Sequence, residues 1–463
     1  MEKFDVAIIG AGPAGLFAVH QILKCSPSAT VLLVDKGKWS QDRACCGNCN
    51  ICNDKDDCDI LCGFGGGGLF SDGKLVLDLH SGGKLDAITA LGEQQLEELT
   101  REIVDTLKKH DGLSEPSPPI TGEMQEKWEH ICNDAKLKIK HYDVLHMGTE
   151  NLHHISMNFV NAICSSSQVT CVQNCQITQV ITASNGSSIL HSRAGDMFAA
   201  DSVIFSVGKT GSDWLRCLFD RENISFNKEV TYLGVRIEVP QSALDELFEY
   251  SFDPKIWAFY DGRKVKTHCF CRHGNIISTN YMGFKIVGGH TQFTAKNGIS
   301  SDKLSHKANF NVLASTDRSI QEIRTVLKAF TQLNPAGPVV QDLFSFLTNN
   351  STFGQNDLIC DAKNQVGNIR EILDTLDSTG TIIADFILRI GHIAPQVLSR
   401  ESLIYAPALE WYMDSVNVDS NMETSHRGWF AVGDGAGLSQ GIVHSAATGI
   451  IAAKEICRRM TLK

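Results

Sequence analysis

Apolar positions follow two patterns along this chain, and the pattern changes near residue 231. Before that point, short apolar runs alternate with stretches of helical spacing, which is typical of a parallel sheet with helices between its strands. After it, several strand-like segments follow one another, and helical stretches come only later. The change predicts an α/β fold in which an α+β domain, 221–395, is inserted into a discontinuous first domain, 1–220 and 396–463.

The same spacings predict individual elements. Helices are expected at 16–24, 85–110, 152–164, 320–333, 340–347, 369–376 and 441–459, and strands in the first part of the chain at 6–9, 30–34, 137–147, 169–173, 176–182 and 198–208. The pair Asn185-Gly186 predicts a tight hairpin, because such pairs readily adopt the positive φ angles of a two-residue turn.

The first strand, turn and helix carry a glycine fingerprint. Gly10, Gly12 and Gly15 are spaced G-x-G-x-x-G, and Asp35 ends the next strand twenty residues later. Gly10 would allow the tight turn, Gly12 a close approach of the backbone to a pyrophosphate, and Gly15 close packing of helix on strand. Amide groups at the helix start would face the diphosphate, and Asp35 a ribose hydroxyl. The pattern predicts a dinucleotide site; the alternative is a turn that only packs.

A second glycine-rich stretch, GFGGGGLFSDGKL at 63–75, follows a cysteine-dense segment. Because glycines of this density favour irregular backbone, we expect a loop rather than a second nucleotide domain. The loop is predicted to lie over a cofactor and to contribute backbone amides; the alternative is a mobile surface loop. Lys74 would either offset phosphate charge or remain solvated.

The cysteine-dense segment, 43–62, has several interpretations. Cys46, Cys49 and Cys52 are spaced C-x2-C-x2-C, and Cys58 follows as a candidate fourth ligand. This spacing is compatible with an iron–sulfur cluster, a zinc site, a thiol–disulfide pair that exchanges electrons with flavin, or free thiols in a polar loop.

Composition narrows the functional classes. The chain has 463 residues and a net charge of −11 without a basic block, which argues against non-specific binding of nucleic acid. No apolar run has membrane-spanning length, so no membrane association is expected. The first strand begins so early that we expect no cleaved signal peptide. The 16 cysteines are therefore expected as thiols, metal ligands or redox groups in the cytosol.

Three motifs together resemble a known flavoprotein architecture. GAGPAG at 10–15, SVG at 206–208 and GDGAGLSQGI at 433–442 resemble the FAD-binding domain of the p-hydroxybenzoate hydroxylase and amine oxidase kinds of flavoprotein. Over nearly its whole length the chain resembles a poorly characterised family of NAD(FAD)-utilising dehydrogenases, with similar blocks at 63–75, 232–240, 268–271 and 432–450. Gly67 stands where the family is expected to have alanine.

The resemblance implies a discontinuous Rossmann-type FAD-binding domain with an inserted domain over the flavin. It implies that FAD is held by Gly10, Gly12, Pro13, Ala14, Gly15, Asp35, Lys36, Gly67, Gly68, Ile177, Gly208, Gly433, Asp434, Gly441, Ile442 and Val443. The fingerprint residues would hold the diphosphate, Asp35 the adenosine ribose and Ile177 the adenine. Asp434 would bind a ribityl hydroxyl or the diphosphate region. The helix start at 441–443 would lie at the pyrimidine edge of the flavin, where its dipole stabilises negative charge.

The sequence thus predicts an FAD-dependent oxidoreductase that transfers a hydride between flavin and an unidentified small molecule. A monooxygenase-like or thiol-oxidising flavoenzyme is an alternative, as is a non-catalytic flavin- or cluster-binding sensor or scaffold. Because no second dinucleotide domain stands out, NAD(P)H as a transient electron donor and a donor protein are both left open. The catalytic residues and the oligomeric state are not predicted, although Cys269, Cys271 and His444 are candidates near the flavin. Cys269 and Cys271 are two apart on a predicted strand, so they are expected to face the same side.

Overall fold

The structure is a computed structural model. It describes residues 1–43, 58–71, 73–78, 80–81, 83, 85–110, 114–116, 119–281, 283–291, 305–350, 368–410 and 414–462.

Strands within these residues form two large sheets and three small ones. They are β1 Glu2–Ile9, β2 Val31–Val34, β3 Lys74–Val76, β4 Glu115–Pro116, β5 Lys138–Lys140, β6 Val144–His146, β7 Val169–Val172, β8 Ile177–Thr182, β9 Ser188–Ser192, β10 Met197–Phe205, β11 Phe226–Asn227, β12 Thr231–Pro240, β13 Lys255–Tyr260, β14 Arg263–Cys271, β15 Gly274–Tyr281, β16 Phe284–Thr291, β17 Lys307–Thr316, β18 Val339–Asp342, β19 Leu403–Glu410, β20 Ser415–Val416 and β21 Trp429–Ala431.

The helices lie mostly on these sheets. They are α1 Pro13–Cys25, α2 Leu85–Ile88, α3 Glu93–Lys108, α4 Gly122–Asp134, α5 Thr149–Cys164, α6 Ser212–Arg221, α7 Asp245–Tyr250, α8 Ile320–Leu333, α9 Leu343–Leu347, α10 Ile369–Asp374, α11 Thr379–Ile393 and α12 Ile442–Thr461. Among these described helices, none combines the length and the apolar character that crossing a membrane requires.

The first sheet contains the parallel strands that the sequence predicts. Strands β7, β2, β1 and β10 are parallel neighbours, β21 pairs in parallel with the end of β10, and β9 and β8 complete the sheet antiparallel. The end of strand β1 is continuously apolar, and its residues Val6, Ala7, Ile8 and Ile9 are all buried, as expected for a parallel strand covered on both faces. Since β21 lies more than two hundred residues after β10, distant segments build one sheet. The predicted α/β fold with a parallel sheet is confirmed.

Helices α1 and α12 pack against each other beside this sheet. A Cβ atom added to Gly449 would lie 2.0 Å from the carbonyl oxygen of Ala14, so the two backbones meet directly. The small residues of α12 permit this approach.

The second sheet is antiparallel, with strand order β18-β19-β12-β17-β14-β13-β5. One face packs with α4, α8 and α11 in a second hydrophobic core. Strands β5 and β19 belong to this sheet although they lie outside 221–395. The domain boundaries at 220/221 and 395/396 stay a prediction.

Four predicted elements differ in the structure. The strand expected at 137–147 is two strands, β5 and β6, which lie in different sheets. The segment 340–347 is strand β18 followed by the short helix α9, because Asp342 accepts the amide hydrogen of Ser345 and starts a new helix there. The helix expected at 85–110 is two helices, separated before Gly92. In the glycine-rich stretch, Gly66–Phe70 is a short 3-10 helix rather than an irregular loop.

One cysteine pair also differs from expectation. Cys164, at the end of α5, and Cys171, in β7, form a disulfide, and their Cα atoms are 6.0 Å apart. A short return from helix to strand brings these two residues within reach of each other, and the spacing of the cysteines does not reveal it.

Candidate functional site

A cavity of about 420 Å³ lies where β1, β2, β10 and β21 end. The carboxyl ends of parallel strands are where α/β sheets bind ligands. Of the predicted cofactor residues, those that line the cavity are Gly10, Gly12, Pro13, Ala14, Asp35, Lys36, Gly67, Gly68, Ile177, Gly208, Gly433, Asp434, Gly441 and Ile442. Gly15 and Val443 do not line it. The structure therefore brings together residues from six separate stretches of chain.

The three fingerprint glycines have different surroundings. A Cβ atom at Gly10 would lie 2.3 Å from the carbonyl oxygen of Ser206, and one at Gly15 would lie 2.1 Å from the carbonyl oxygen of Gly10. Both glycines are thus required by contacts within the protein. At Gly12 the nearest atom is Gly66 Cα at 3.7 Å, which is an ordinary contact. The protein itself therefore does not require glycine at position 12, where the backbone faces the cavity.

Two long helices begin at this cavity with glycine caps. Gly12 caps α1 and Gly441 caps α12, and neither helix has a side-chain cap or an acidic residue in its first turn among the described residues. The first amide groups of a helix have no partner within the helix and carry its positive dipole end. The two starts therefore offer uncapped donors to an anion.

Asp35 is bound to the protein backbone. Its Oδ2 accepts the amide hydrogen of Ala11 at 2.8 Å, and its Oδ1 accepts that of Gly37 at 2.8 Å. The carboxylate thus fixes the turn between β1 and α1. A carboxylate accepts about four hydrogen bonds, so a ribose hydroxyl has lone pairs left to bind.

Asp434 joins the returning strand to α12. Its Oδ1 accepts the hydroxyl hydrogens of Ser439 at 3.0 Å and Ser445 at 2.7 Å. Its Oδ2 lies 3.9 Å from Nζ of Lys209. The two serines fix the carboxylate, and Oδ2 is left for a ligand hydroxyl beside a cation.

The glycine-rich segment covers the start of α1. The amide of Gly65 donates to the carbonyl oxygen of Ala11 at 2.8 Å. Gly66 has φ 66°, and a Cβ atom there would lie 2.8 Å from Gly12 Cα. Arg43 anchors the segment, since its buried guanidinium donates to the carbonyl oxygens of Phe64 and Ile60. Burial lowers the pKa of Arg43 to about 10, partly offset by Asp35.

Several lining residues were missed by sequence reasoning. They are Ile9, Val34, Leu61, Cys62, Cys175, Gln176, Ser206, Val207, Lys209, Thr210, Gly211, Trp214 and Ser445. Gly66 and Ser71 also line the cavity and belong to the stretch 63–75 that was predicted to lie over a cofactor. Many adjoin predicted residues in sequence, so extending each motif by one or two positions would have found them. Trp214 lies a turn into α6 and had no such signal. Lys74, which was left open, lines the cavity and donates to the carbonyl oxygen of Phe270.

The other candidates do not line this cavity. His444 is buried in α12. Cys269 and Cys271 were expected to face one side of a regular strand, but the register shifts between His268 and Cys271, and Cys269 has φ 55°. That bulge breaks the alternation on which the expectation depended.

The metal hypothesis concerns a part of the chain that the structure does not describe. Cys46, Cys49 and Cys52 lie outside the described residues, whereas Cys58 is a half-buried free thiol. In the described part of the chain, no group of three His, Cys, Asp or Glu side chains is arranged to hold a metal ion.

No family model matches this chain, and no curated protein matches it. Similar solved structures include glycine oxidase from Geobacillus kaustophilus (13% identity, 99% of this chain and 95% of that chain, TM-score 0.40). A second is a flavoprotein/dehydrogenase from Cytophaga hutchinsonii (12% identity, 100% of this chain and 80% of that chain, TM-score 0.42). A third is L-proline dehydrogenase from P. horikoshii (9% identity, 99% of this chain and 94% of that chain, TM-score 0.46). By their descriptions these are one oxidase and two dehydrogenases.

Proposed function

We propose that this protein is an FAD-dependent oxidoreductase acting on a small molecule. In this proposal the first sheet is the core of a discontinuous Rossmann-type FAD-binding domain, and the second sheet belongs to an inserted substrate domain. The observation that carries it is the meeting of two glycine-capped helix starts, from opposite ends of the chain, at one cavity on the carboxyl edge of a parallel sheet.

The residues that line the cavity suit FAD in their chemistry. A cavity of about 420 Å³ falls within the usual range of ligand pockets. Gly12, which has room beside it, would let the diphosphate approach the start of α1. Asp35 and Ile177 would hold the adenosine end, and Asp434 would accept a hydrogen bond from a sugar or ribityl hydroxyl.

Bound there, FAD supplies a centre that takes up or gives a hydride. The chain's own part is to bind and orient it. The start of α12 would stabilise negative charge near Gly441 and Ile442, since the dipole of a helix is positive at its amino end. Lys74 would add a positive charge at the cavity wall next to the second sheet. NAD(P)H or a donor protein as the electron source, and a cytosolic location, stay predictions.

The cofactor released on denaturation tests this proposal. Purified protein, reconstituted with FAD if necessary, is expected to be yellow and to release stoichiometric FAD, measured by absorbance and chromatography. Asp434→Asn should retain less FAD than Asp105→Asn. Asp105 is exposed on α3 and makes no ion pair in the described part of the chain. Recovery of stoichiometric NAD, or no flavin after reconstitution, would contradict the proposal.

A further inference from the structure

A disulfide ties helix α5 to strand β7 at the edge of the first sheet. It joins Cys164, the last residue of α5, to Cys171 in β7. Strand β7 ends the strand order of that sheet, where β2 is its neighbour among the described strands. Hydrogen bonds to the sheet therefore hold β7 along one side, and the disulfide holds it to the helix.

The bond lies close to the surface. Neither cysteine is buried, and Ser165 and Ser167, in the return between them, are exposed. The nine other cysteines that the structure describes are free thiols. Within the described residues, this bond is therefore the covalent link that a small dithiol can open.

The chain directly after the disulfide clamps the turn that follows β2. The carbonyl oxygen of Val172 accepts the amide hydrogen of Asp35 at 3.0 Å, and the amide of Cys175 donates to the carbonyl oxygen of Asp35 at 2.9 Å. The amide of Asn174 donates to the carbonyl oxygen of Gly37 at 2.8 Å. These backbone hydrogen bonds begin one residue after the disulfide, so the placement of β7 sets the placement of this turn.

Both sides of the clamp line the cofactor cavity. Asp35 and Lys36 line it from one side, and residues 175–177 line it from the other. Asp35 also holds the fingerprint turn, since its Oδ2 accepts the amide hydrogen of Ala11 at 2.8 Å. A shift of β7 would therefore move the wall that is proposed to hold the adenosine end of the cofactor.

Helix α5 supports a second wall of the same cavity. Gly148 caps its start, and a Cβ atom at Gly73 would lie 2.5 Å from the backbone of Gly148. The amide of Met147 donates to the carbonyl oxygen of Gly73 at 2.7 Å. The 3-10 helix Gly66–Phe70, which contributes lining residues, packs on α5. The disulfide thus joins the supports of two cavity walls.

We propose that the Cys164–Cys171 disulfide is a redox switch that regulates binding at the cofactor cavity. The inference rests on the function proposed above. A dithiol reductant gives two electrons and two protons to the bond, becomes a disulfide itself, and leaves Cys164 and Cys171 as thiols. The return at 165–170 then gains conformational freedom. Binding must order the clamp again, so the reduced protein binds the cofactor more weakly.

ADP tests the switch separately from flavin chemistry, because it carries the adenosine diphosphate part of FAD and accepts no electrons. In calorimetric titration of the cofactor-free protein, the oxidised parent should bind ADP about tenfold more tightly than the parent kept in dithiothreitol. A protein carrying both Cys164→Ser and Cys171→Ser should bind like the reduced parent under both conditions. Cys217→Ser, which removes an exposed free thiol of α6, should behave like the parent.

The reduction equilibrium gives a second measurement that a purely structural bond would not move. If ADP binds the oxidised form more tightly, saturating ADP must lower the equilibrium constant for reduction of the bond by dithiothreitol by the same factor of about ten. Peptide mapping by mass spectrometry measures the fraction of the Cys164–Cys171 bond at each reductant concentration. Because this measurement uses the parent protein, it stands even if the double variant does not fold.

The outcomes separate the two proposals. Equal ADP affinity in the oxidised and reduced parent, an unchanged reduction equilibrium, or absence of the bond in air-oxidised protein would overturn the switch; the flavoenzyme proposal then stands or fails on the cofactor that is released. If ADP affinity depends on the bond but NAD is recovered instead of FAD, the switch stands and the flavoenzyme proposal fails. If the protein binds neither ADP nor FAD, both proposals are wrong.

Discussion

Four helices of the second core begin differently from the two helices at the cavity, although α7 and α11 of the same core have no side-chain cap. In the second core, α4, α8, α9 and α10 start at Thr121, Ser319, Asp342 and Asn368, and each of these side chains accepts an amide hydrogen of its own helix. At the cavity, α1 and α12 start at glycines that have no side chain to offer. In α4, α8, α9 and α10 the capping side chain satisfies an amide of the first turn. In α1 and α12 the amides of the first turn have no such cap and are available to a ligand, which we infer to be the cofactor diphosphate.

The largest expected effect is a loss of stability on substitution of Gly15, the fingerprint glycine that packs within the protein and does not line the cavity. Gly15→Ala should lower the free energy of unfolding by about 3 kcal/mol, because the new methyl group would overlap the carbonyl oxygen of Gly10. Urea denaturation of the cofactor-free protein measures this. Gly122→Ala is the matched control, since nothing lies within 4 Å of a Cβ atom there. Equal stabilities of the two variants would contradict the assigned packing role of Gly15.

The next effect concerns the cofactor rather than the fold. Asp434→Asn should weaken FAD binding by about tenfold, because a charged acceptor is replaced by a neutral one. The amide oxygen can still accept from Ser439 and Ser445, so the turn should persist. Fluorescence titration with FAD measures the change. If Asp434→Asn bound FAD as tightly as Asp105→Asn, Asp434 would not be part of the FAD site.

A smaller effect on stability is expected in the second core. Ser319→Ala should cost about 1 kcal/mol of unfolding free energy, since Ser319 Oγ accepts the amide hydrogen of Glu322 and closes a capping box. FAD affinity should not change. If Ser319→Ala lost FAD as readily as Asp434→Asn does, the proposed difference in role between the two sets of helices would be wrong.

A further effect is a pH dependence of stability. The folded pKa of His268, about 3, lies below its ordinary value of 6.5, so the unfolded chain takes up a proton first as the pH falls. The stabilising contribution is present above pH 6.5 and is lost as the pH falls toward 3. His268→Gln should flatten the fall in stability between pH 7 and pH 5, measured by thermal unfolding. Glu410, whose pKa is lowered to about 2, contributes mainly at lower pH. An unchanged slope would contradict the depressed pKa of His268.

Much of the first sheet could be predicted from the sequence, whereas the polar face of the second could not. The fingerprint combines an apolar run, a helix and glycines within a few dozen residues, so local spacing identifies it. Glu410 and His268 are more than a hundred residues apart, and only the strand order β19-β12-β17-β14 brings them together. The bulge at Cys269 likewise depends on pairing with β17, which the spacing of two cysteines does not reveal. Asp342 lies within an apolar run and caps a new helix there. The segment predicted as one helix is therefore a strand followed by a short helix.

Gly12→Ser tests most directly whether the open amides of α1 are reserved for a diphosphate. Gly12 has extended backbone, φ −80° and ψ −175°, which suits a serine cap, and its surroundings leave room for the side chain. The serine should satisfy an amide of α1 and occupy the approach to the cavity. We expect calorimetric titration to show FAD and ADP binding weakened by about 100-fold, with no loss of stability in the cofactor-free protein. Unchanged affinity for both ligands would contradict the account.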